Sequence, residues 1–330
     1  MREVHRFEGH SSVVSRVAIS ADGSRLLSTS SGYSEKGDER DWSVRVWDSS
    51  GNELRRLDPP KRTHSLAISP DGQQALTGHM GLVLLWDLDN GEILQRMSLE
   101  PCEPGGFSSV GSLVFSPDGR QALAGVWDGS VRLLDLTTGQ ELKLLKAVKE
   151  VMSVGFSSDG LRGGAGSGHG WYDHSGGDLD NFVMVWDLNT GQEMCRFPTG
   201  RNTATCVAFS PDGKQLLAGS DRYPSFIRLW DLDSGQEKVK RENNELRDIY
   251  AVTFSPIGSK ALAFIAHISD KRVGDCRQVF PALFDVNSGR EIARAETAPG
   301  PLECAAFSLS GRYAVSGDRD KVMCLWELPF

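Results

Sequence analysis

The chain has 330 residues, with 36 basic and 44 acidic side chains that give a net charge of −8. This acidic balance argues against a general affinity for nucleic acid or for anionic membranes. No apolar run is long enough to cross a bilayer, and the first residues alternate like a strand, so we expect neither a membrane span nor a signal peptide. We expect a monomer in the cytoplasm.

The cysteines support the same expectation. They fit neither a CxxC motif nor the spacing of a secreted disulfide framework, and several stand in apolar strand contexts where cysteine packs as a small hydrophobic side chain. A reduced setting fits this usage best. The six positions are 102, 195, 206, 276, 304 and 324.

Taken in order, the chain opens with a short strand pattern at residues 2–8, followed by seven similar units. The first apolar run of each unit ends in a turn of the SPDG type. In that turn proline presets φ, aspartate bonds to the nearby backbone, and glycine accepts a positive φ. The turn glycines lie 41 to 53 residues apart, at positions 23, 72, 119, 160, 213, 258 and 311.

The third strand of each unit ends in Trp-Asp or a close variant. A glycine turn follows it in six units, as in TTGQE at 137–141, and opens a fourth run. Strands joined this tightly are antiparallel neighbours. One such sheet cannot bury both its faces, so we expect the copies to pack on one another. The third strands end at residues 48, 87, 135, 187, 231, 285 and 327.

The last unit stops after its third strand, while residues 2–8 look like a fourth strand without a unit. We therefore predict a closed all-β ring of seven four-stranded blades, in which the N-terminal strand completes the C-terminal blade. The prediction is one domain over residues 1–330. Its segments are 2–8 (closing strand of blade 7), 10–58 (blade 1), 61–98 (blade 2), 107–146 (blade 3), 150–198 (blade 4), 202–241 (blade 5), 247–296 (blade 6) and 300–328 (blade 7).

This pattern resembles the WD40-repeat seven-bladed β-propeller, and its near-uniform repeats are similar to bacterial WD40 arrays. The resemblance rests on the Trp-Asp pairs at 47–48, 86–87, 186–187 and 230–231, on Gly9-His10 and on the SPDG turns. It implies a buried network of four side chains in blade 1: His10, Ser28, Asp41 and Trp47. Other blades lack members of it, with alanine at 124, 218 and 263, leucine at 134 and phenylalanine at 284.

The loops are unequal on the two faces of such a disc. The SPDG and TGQE turns on one face are short, while the opposite face carries insertions at 30–40 in blade 1, 166–179 in blade 4 and 266–278 in blade 6, together with the segment 100–109. Extra loop length on a rigid scaffold commonly builds a binding surface. The alternative is that edge loops simply tolerate insertion.

The blade 4 loop is the most distinctive, because it places Trp171 and Tyr172 among glycines. Exposed aromatics of this kind anchor protein interfaces, although they would serve equally as a cover over the central channel. A metal site is a weaker hypothesis, because no spacing fixes its geometry. Its candidate ligands are His169, Asp173, His174 and Asp178, and His174 is also a partner-binding candidate.

Further candidates come from the resemblance, since WD40 propellers tend to contact partners around the channel mouth. Residues entering the innermost strands are candidates there, as are residues preceding the family's aspartate position. The first set is His64, Met152, Thr205, Tyr250 and Glu303, and the second is Arg40, Trp127 and Arg319.

No catalytic signature is visible, because the chain lacks GxSxG, HExxH, Walker and Rossmann motifs. We therefore predict a non-enzymatic scaffold that needs no cofactor and binds a protein or peptide through the face with the insertions of blades 1, 4 and 6. One alternative is a sensor or regulatory WD40 domain of a larger signalling protein. A less favoured one is an enzyme-like propeller that binds a metal or small ligand.

Overall fold

The computed structural model describes residues 2–30, 41–102, 108–168, 181–221, 225–243, 246–255, 258, 260–268, 277–294, 302–308 and 310–328. These residues form 28 β-strands in seven four-stranded antiparallel sheets. The predicted seven-bladed all-β propeller is therefore confirmed. Within the described ranges there is no helix long and apolar enough to cross a membrane.

Four strands form each blade, named in order from the channel outward. Blade 1 has β2 (Val14–Ile19), β3 (Arg25–Ser30), β4 (Val44–Asp48) and β5 (Glu53–Leu57). Blade 2 has β6 (Ser65–Ile68), β7 (Gln74–His79), β8 (Leu82–Asp87) and β9 (Ile93–Ser98). Blade 3 has β10 (Val110–Phe115), β11 (Gln121–Val126), β12 (Ser130–Asp135) and β13 (Glu141–Lys146). Blade 4 has β14 (Val151–Phe156), β15 (Arg162–Ser167), β16 (Asn181–Asp187) and β17 (Glu193–Gly200).

The remaining blades follow the same order. Blade 5 has β18 (Ala204–Phe209), β19 (Gln215–Ser220), β20 (Ser225–Asp231) and β21 (Glu237–Asn243). Blade 6 has β22 (Leu246–Phe254), β23 (Lys260–Ile268), β24 (Arg277–Asp285) and β25 (Glu291–Arg294). Blade 7 has β26 (Leu302–Phe307), β27 (Tyr313–Asp318), β28 (Met323–Glu327) and, from the other end of the chain, β1 (Arg2–Phe7).

The N-terminal strand closes the ring as predicted. β1 pairs antiparallel with β28, from Arg2 opposite Glu327 to Phe7 opposite Met323. Phe7 is 2% exposed and meets Trp47 of blade 1 edge to face, with ring centroids 5.6 Å apart. The strand therefore both completes blade 7 and packs against its neighbour.

The core consists of seven apolar clusters, and each cluster joins two neighbouring blades. The cluster between blades 1 and 2, for example, packs Leu27, Val46 and Leu57 against Leu84 and Trp86. Every blade face is thus buried by the next blade. This explains why one copy of the repeat needs the others to fold.

The SPDG turns satisfy their own polar groups. In blade 3, Ser116 Oγ donates to Asp118 Oδ1 at 2.6 Å, Arg120 N–H donates to the same oxygen at 3.1 Å, and Gly119 takes a φ of 73°. The hydrogen bonds from Ser116 and from the Arg120 N–H lower the pKa of Asp118 below its usual value. The same serine-to-aspartate bond recurs in blades 1, 2, 4 and 5.

Blade 6 departs from the predicted loop limits. Its middle strands β23 and β24 pair over nine positions, from Lys260 opposite Asp285 to Ile268 opposite Arg277. The predicted insertion 266–278 is therefore partly strand, and its loop is shorter than expected. Strands also pass the predicted blade limits by one or two residues in β17, β21 and β22, which is the usual uncertainty of element ends.

Candidate interaction face

A β-bulge near the start of the innermost strand shapes the channel mouth in six blades. In blade 1, for example, the register with β3 shifts between Val14 and Arg16, so Ser15 is the extra residue. His64 holds the equivalent place just before β6, where its N–H donates to the Gly78 carbonyl at 2.7 Å. The extra residues in the other five blades are Gly111, Met152, Thr205, Tyr250 and Glu303.

We call these seven residues the bulge ring. Each is partly exposed. Six of them lie where the innermost strand begins, on the face opposite the SPDG turns, and Tyr250 is the fifth residue of the longer strand β22. Five of them are predicted candidates: His64, Met152, Thr205, Tyr250 and Glu303. The structure therefore brings this candidate set together around the axis, since a bulge directs its extra side chain away from the regular ladder.

Two further candidates lie against the bulge ring. Trp127, in the turn after β11, meets His64 edge to face with ring centroids 5.7 Å apart. It also covers Gly111, where an added Cβ would lie 2.2 Å from the indole nitrogen, so a larger residue at this ring position would displace the Trp127 side chain. Arg319, in the turn after β27, forms an ion pair with Glu303 through its Nε.

The four side chains expected to form a buried network in blade 1 lie within hydrogen-bonding distance of one another. His10 Nε2 lies 2.8 Å from Ser28 Oγ, His10 Nδ1 lies 3.1 Å from Asp41 Oδ2, and Trp47 Nε1 donates to Ser28 Oγ at 2.8 Å. Burial would raise the pKa of Asp41, but hydrogen bonds with His10 and Ser43 outweigh it and hold that pKa well below the usual range. All four side chains lock the blade and leave none of these polar groups free for chemistry.

Sequence comparison agrees with this geometry. The sequence model of the family described as WD domain, G-beta repeat matches residues 1–48, 102–135, 192–231 and 295–327. The chain belongs to the WD40-repeat family. The four matched segments end with the third strands of blades 1, 3, 5 and 7 of this WD40 propeller.

Relatives of this WD40 propeller come from eukaryotes. A WD repeat-containing protein SL1-17 of Schistosoma mansoni is 27% identical over 160 residues, which cover 48% of the chain and 47% of that protein. The small ribosomal subunit protein RACK1z of Oryza sativa subsp. japonica is 30% identical over 39% of the chain and 37% of its own length. The serine-threonine kinase receptor-associated protein of Bos taurus is 25% identical over 65% of the chain and 66% of its own length.

These matches span between about a third and two thirds of each relative. The organisms do not support the expected similarity to bacterial arrays, which stays a prediction. What the relatives do support is the repeat family and its propeller.

Blade 2 carries a rearranged network that sequence reasoning missed. Trp86 Nε1 donates to Thr77 Oγ1 at 2.9 Å, and Thr77 Oγ1 lies 2.8 Å from His79 Nε2. The histidine thus comes from the end of β7 and not from the loop before the blade. A His two residues after the Thr of a Thr-Gly-His sequence was the available signal, because alternate residues of a strand share a face.

Successive blades of the WD40 propeller are also linked along the channel. Ser65 Oγ donates to the Val110 carbonyl at 2.7 Å, and Thr205 Oγ1 donates to the Ile249 carbonyl at 2.7 Å. Ser112 Oγ and Ser153 Oγ each accept an N–H from the next blade at 3.1 Å. Short polar side chains therefore join the innermost strands from blade to blade.

Blade 1 uses a much longer side chain at this place. Arg16 is the first regular residue after the bulge, where blades 2, 3 and 4 have serine. Its Nε donates to the His64 carbonyl at 2.7 Å and its Nη1 to the Ser15 carbonyl at 2.6 Å. Aligning the innermost strands (VSRVAI against VGSLVF and VMSVGF) would have singled it out, but sequence reasoning did not.

The environment of His64 is electropositive. Burial, with smaller contributions from the charges of Arg62 and Arg16, lowers the pKa of His64 to about 4. The imidazole is therefore neutral at pH 7 and offers an aromatic surface beside Trp127.

Several sequence candidates lie outside the described residues. They are Arg40 in the blade 1 loop and His169, Trp171, Tyr172, Asp173, His174 and Asp178 in the blade 4 loop. Among the residues that are described, no three His, Cys, Asp or Glu side chains are grouped to hold a metal ion. The metal hypothesis concerned the blade 4 loop and stays untested.

Proposed function

We propose that this WD40 propeller is a non-catalytic scaffold that binds a protein or peptide through the face bearing the bulge ring and the insertions of blades 1, 4 and 6. The observation that carries the proposal is the contrast between the two faces. On one face, the seven equivalent positions of the bulge ring hold seven different residue types: Ser, His, Gly, Met, Thr, Tyr and Glu. The other face repeats one turn whose polar groups bond to one another.

That contrast favours recognition on the variable face. The bulge ring and its neighbours offer an edge-to-face aromatic pair, His64 with Trp127, and the same face carries Met80, which is 47% exposed. Aromatic and methionine side chains are enriched in the buried centres of protein interfaces. The opposite face offers mainly aspartates already bonded to serines and N–H groups, which have less to gain from a partner.

The names of two relatives agree with this proposal. One is called a small ribosomal subunit protein and the other a receptor-associated protein, so both names describe association with other macromolecules. For this chain we propose a protein or peptide partner, no nucleic-acid or membrane binding, and a monomeric state. The net charge of −8 supports the last two parts of that proposal.

A face-specific cross-linking experiment tests the proposal. The protein is cross-linked in native lysate as wild type, as His64→Ala/Trp127→Ala, and as Gln73→Ala/Lys214→Ala, whose side chains are exposed on the opposite face. We expect a defined set of partners with the wild type that is at least tenfold depleted in the first variant and retained in the control. Removing two interface side chains of this kind commonly costs more than the tenfold factor, which corresponds to about 1.4 kcal/mol.

The variants must keep the fold, which circular dichroism and thermal melting establish. Equal capture by all three proteins would contradict the proposed face. Loss in the control variant alone would assign binding to the SPDG face instead.

A further inference from the structure

Among the residues that the structure describes, no acid is ion-paired with the Arg16 guanidinium. It is only partly exposed at the channel mouth, and burial lowers its pKa. Its hydrogen bonds go to two backbone carbonyls, of Ser15 and His64. Among the described residues no carboxylate forms an ion pair with it, in contrast to Arg45 and Arg132, which are held by nearby acids.

The surroundings of Arg16 add to this positive charge. Arg62 lies close enough for its charge to lower the pKa of both Arg16 and His64. Among the described residues, Glu303 is the one carboxylate whose charge acts on the pKa of Arg16 in the opposite direction, and it is already paired with Arg319. A chain of net charge −8 therefore presents a positive site at the mouth of its channel.

The two carbonyl acceptors also orient the guanidinium. They occupy Nε and Nη1, and no described residue accepts a hydrogen bond from the second terminal nitrogen, Nη2. Arginine meets carboxylates through such directed N–H groups, and burial strengthens the interaction because water competes less. An anionic group bound here would supply the charge compensation that Arg16 does not receive from the described residues.

We propose that Arg16 is the anchor for a carboxylate of an acidic peptide segment of the partner, bound at the channel mouth between blades 1 and 2. This inference rests on the proposed function and names its ligand class. An Asp or Glu side chain of the segment enters the mouth and bonds to Arg16, while Arg62 adds long-range attraction. No covalent chemistry is involved.

The neighbouring surface sets what should flank the acidic residue. His64 and Trp127 form a neutral aromatic surface next to Arg16, and Met80, which follows β7, is exposed. An aromatic residue next to the Asp or Glu of the segment would pack on this aromatic surface. The recognised peptide is therefore acidic and aromatic, and basic segments are excluded by like charge.

Binding of two matched synthetic peptides tests the anchor. One fluorescein-labelled peptide has a tryptophan followed by two glutamates in a glycine–serine background, and the other has glutamines in place of the glutamates. Fluorescence anisotropy is measured at low and at moderate salt with wild type, Arg16→Gln, Arg16→Lys and Arg96→Gln. Arg96 is an exposed arginine on the outer strand β9 and makes the matched control for charge.

We expect the wild type and Arg96→Gln to bind the glutamate peptide at least tenfold more tightly than the glutamine peptide. Arg16→Gln should abolish that preference, and Arg16→Lys should retain part of it because a lysine keeps the charge but loses the planar donors. If Arg16→Gln does not fold, Arg62→Gln takes its place and should weaken glutamate-peptide binding several-fold.

Unchanged preference in Arg16→Gln, or no preference in the wild type, would overturn the inference. A phosphoserine version of the peptide is measured in parallel. Binding of that version alone would also overturn the inference, because the ligand would then be a phosphate. If neither peptide binds while cross-linking still depends on His64 and Trp127, the scaffold proposal stands and the acidic ligand class is wrong.

Discussion

At the scale of single residues, Asp318 is a buried carboxyl whose surroundings disfavour its ionised form. Its carboxyl is 2% exposed at the end of β27 and accepts the Val322 N–H at 2.8 Å. Burial raises the pKa of Asp318 to about 6, with a smaller contribution from the charge of Asp320 and a partial offset from the Val322 N–H. Ionising this carboxyl therefore costs more free energy in the folded protein than in the unfolded chain.

We expect Asp318→Asn to raise the free energy of unfolding at neutral pH by about 1–2 kcal/mol. This gain is smaller than the free energy that corresponds to the whole pKa shift of Asp318, because the carboxyl stays hydrogen-bonded. The folded pKa lies above the ordinary value of 3.8, so below about pH 3.8 the carboxyl is neutral in both states and the variant has no advantage. The wild type loses stability as pH rises from there through about 6, and the advantage of the variant then becomes constant. Denaturant unfolding between pH 4 and 8 measures this.

Asp320→Asn serves as the control, because that side chain is exposed and should change stability by less than about 0.5 kcal/mol. An advantage of Asp318→Asn that stays constant from pH 4 to pH 8 would show that Asp318 does not titrate in this range.

At the scale of elements, every outer strand carries the same bulge. Trp47 pairs with Glu53 and Val46 with Arg55, so Leu54 is the extra residue of β5 and is 50% exposed. A bulge twists the free edge of a sheet and discourages pairing with other chains. The equivalent residues in the other blades are Leu94, Leu142, Met194, Lys238, Ile292 and Val4.

Two leucines of β5 should therefore respond very differently to substitution. We expect Leu54→Lys to change the free energy of unfolding by less than about 0.5 kcal/mol, because blade 5 already has a lysine there and the side chain faces solvent. Leu57→Ala should cost about 2–5 kcal/mol, because Leu57 is 2% exposed in the core between blades 1 and 2. Equilibrium unfolding in urea compares them, and a large cost for Leu54→Lys would mean that the bulge residue packs on another surface.

At the scale of the whole molecule, closure depends on the two ends of the chain meeting in blade 7. The ion pair of Arg2 with Glu327 is 2.7 Å long but exposed, and contributes little. Phe7 contributes more, because it is buried in the cluster shared by blades 7 and 1. Loss of β1 would expose β28 as a new edge.

Deleting residues 1–9 should lower the melting temperature by at least about 5 °C, since burial of Phe7 alone is worth about 3–5 kcal/mol. We also expect concentration-dependent association through the exposed edge of β28, measured by sedimentation velocity. Arg2→Ala is the control and should leave both properties unchanged. A deleted protein that stays monomeric with an unaltered melting temperature would mean that the β1–β28 pairing contributes nothing to closure.

The fold was predictable from sequence because its turns are local. The SPDG turn needs only the serine, aspartate and glycine within a few residues of each other, and it recurs often enough to count the blades. Strand limits in blade 6 were less predictable, because the extra pairs of β23 and β24 form between residues at both ends of the predicted insertion 266–278. The four members of the blade 1 network were identifiable because the family resemblance supplied their positions.

The site was predictable only in part. The sequence itself determined seven antiparallel blades, ring closure by residues 2–8, and the positions of His64, Met152, Thr205, Tyr250 and Glu303 at strand entrances. Only the tertiary structure decided that these residues form one ring, that Trp127 meets His64 edge to face, and that Arg16 lies at the mouth with no acidic partner among the described residues. The reason is physical: turn chemistry acts between near neighbours in the chain, whereas charge compensation and aromatic contact depend on blades about 50 residues apart.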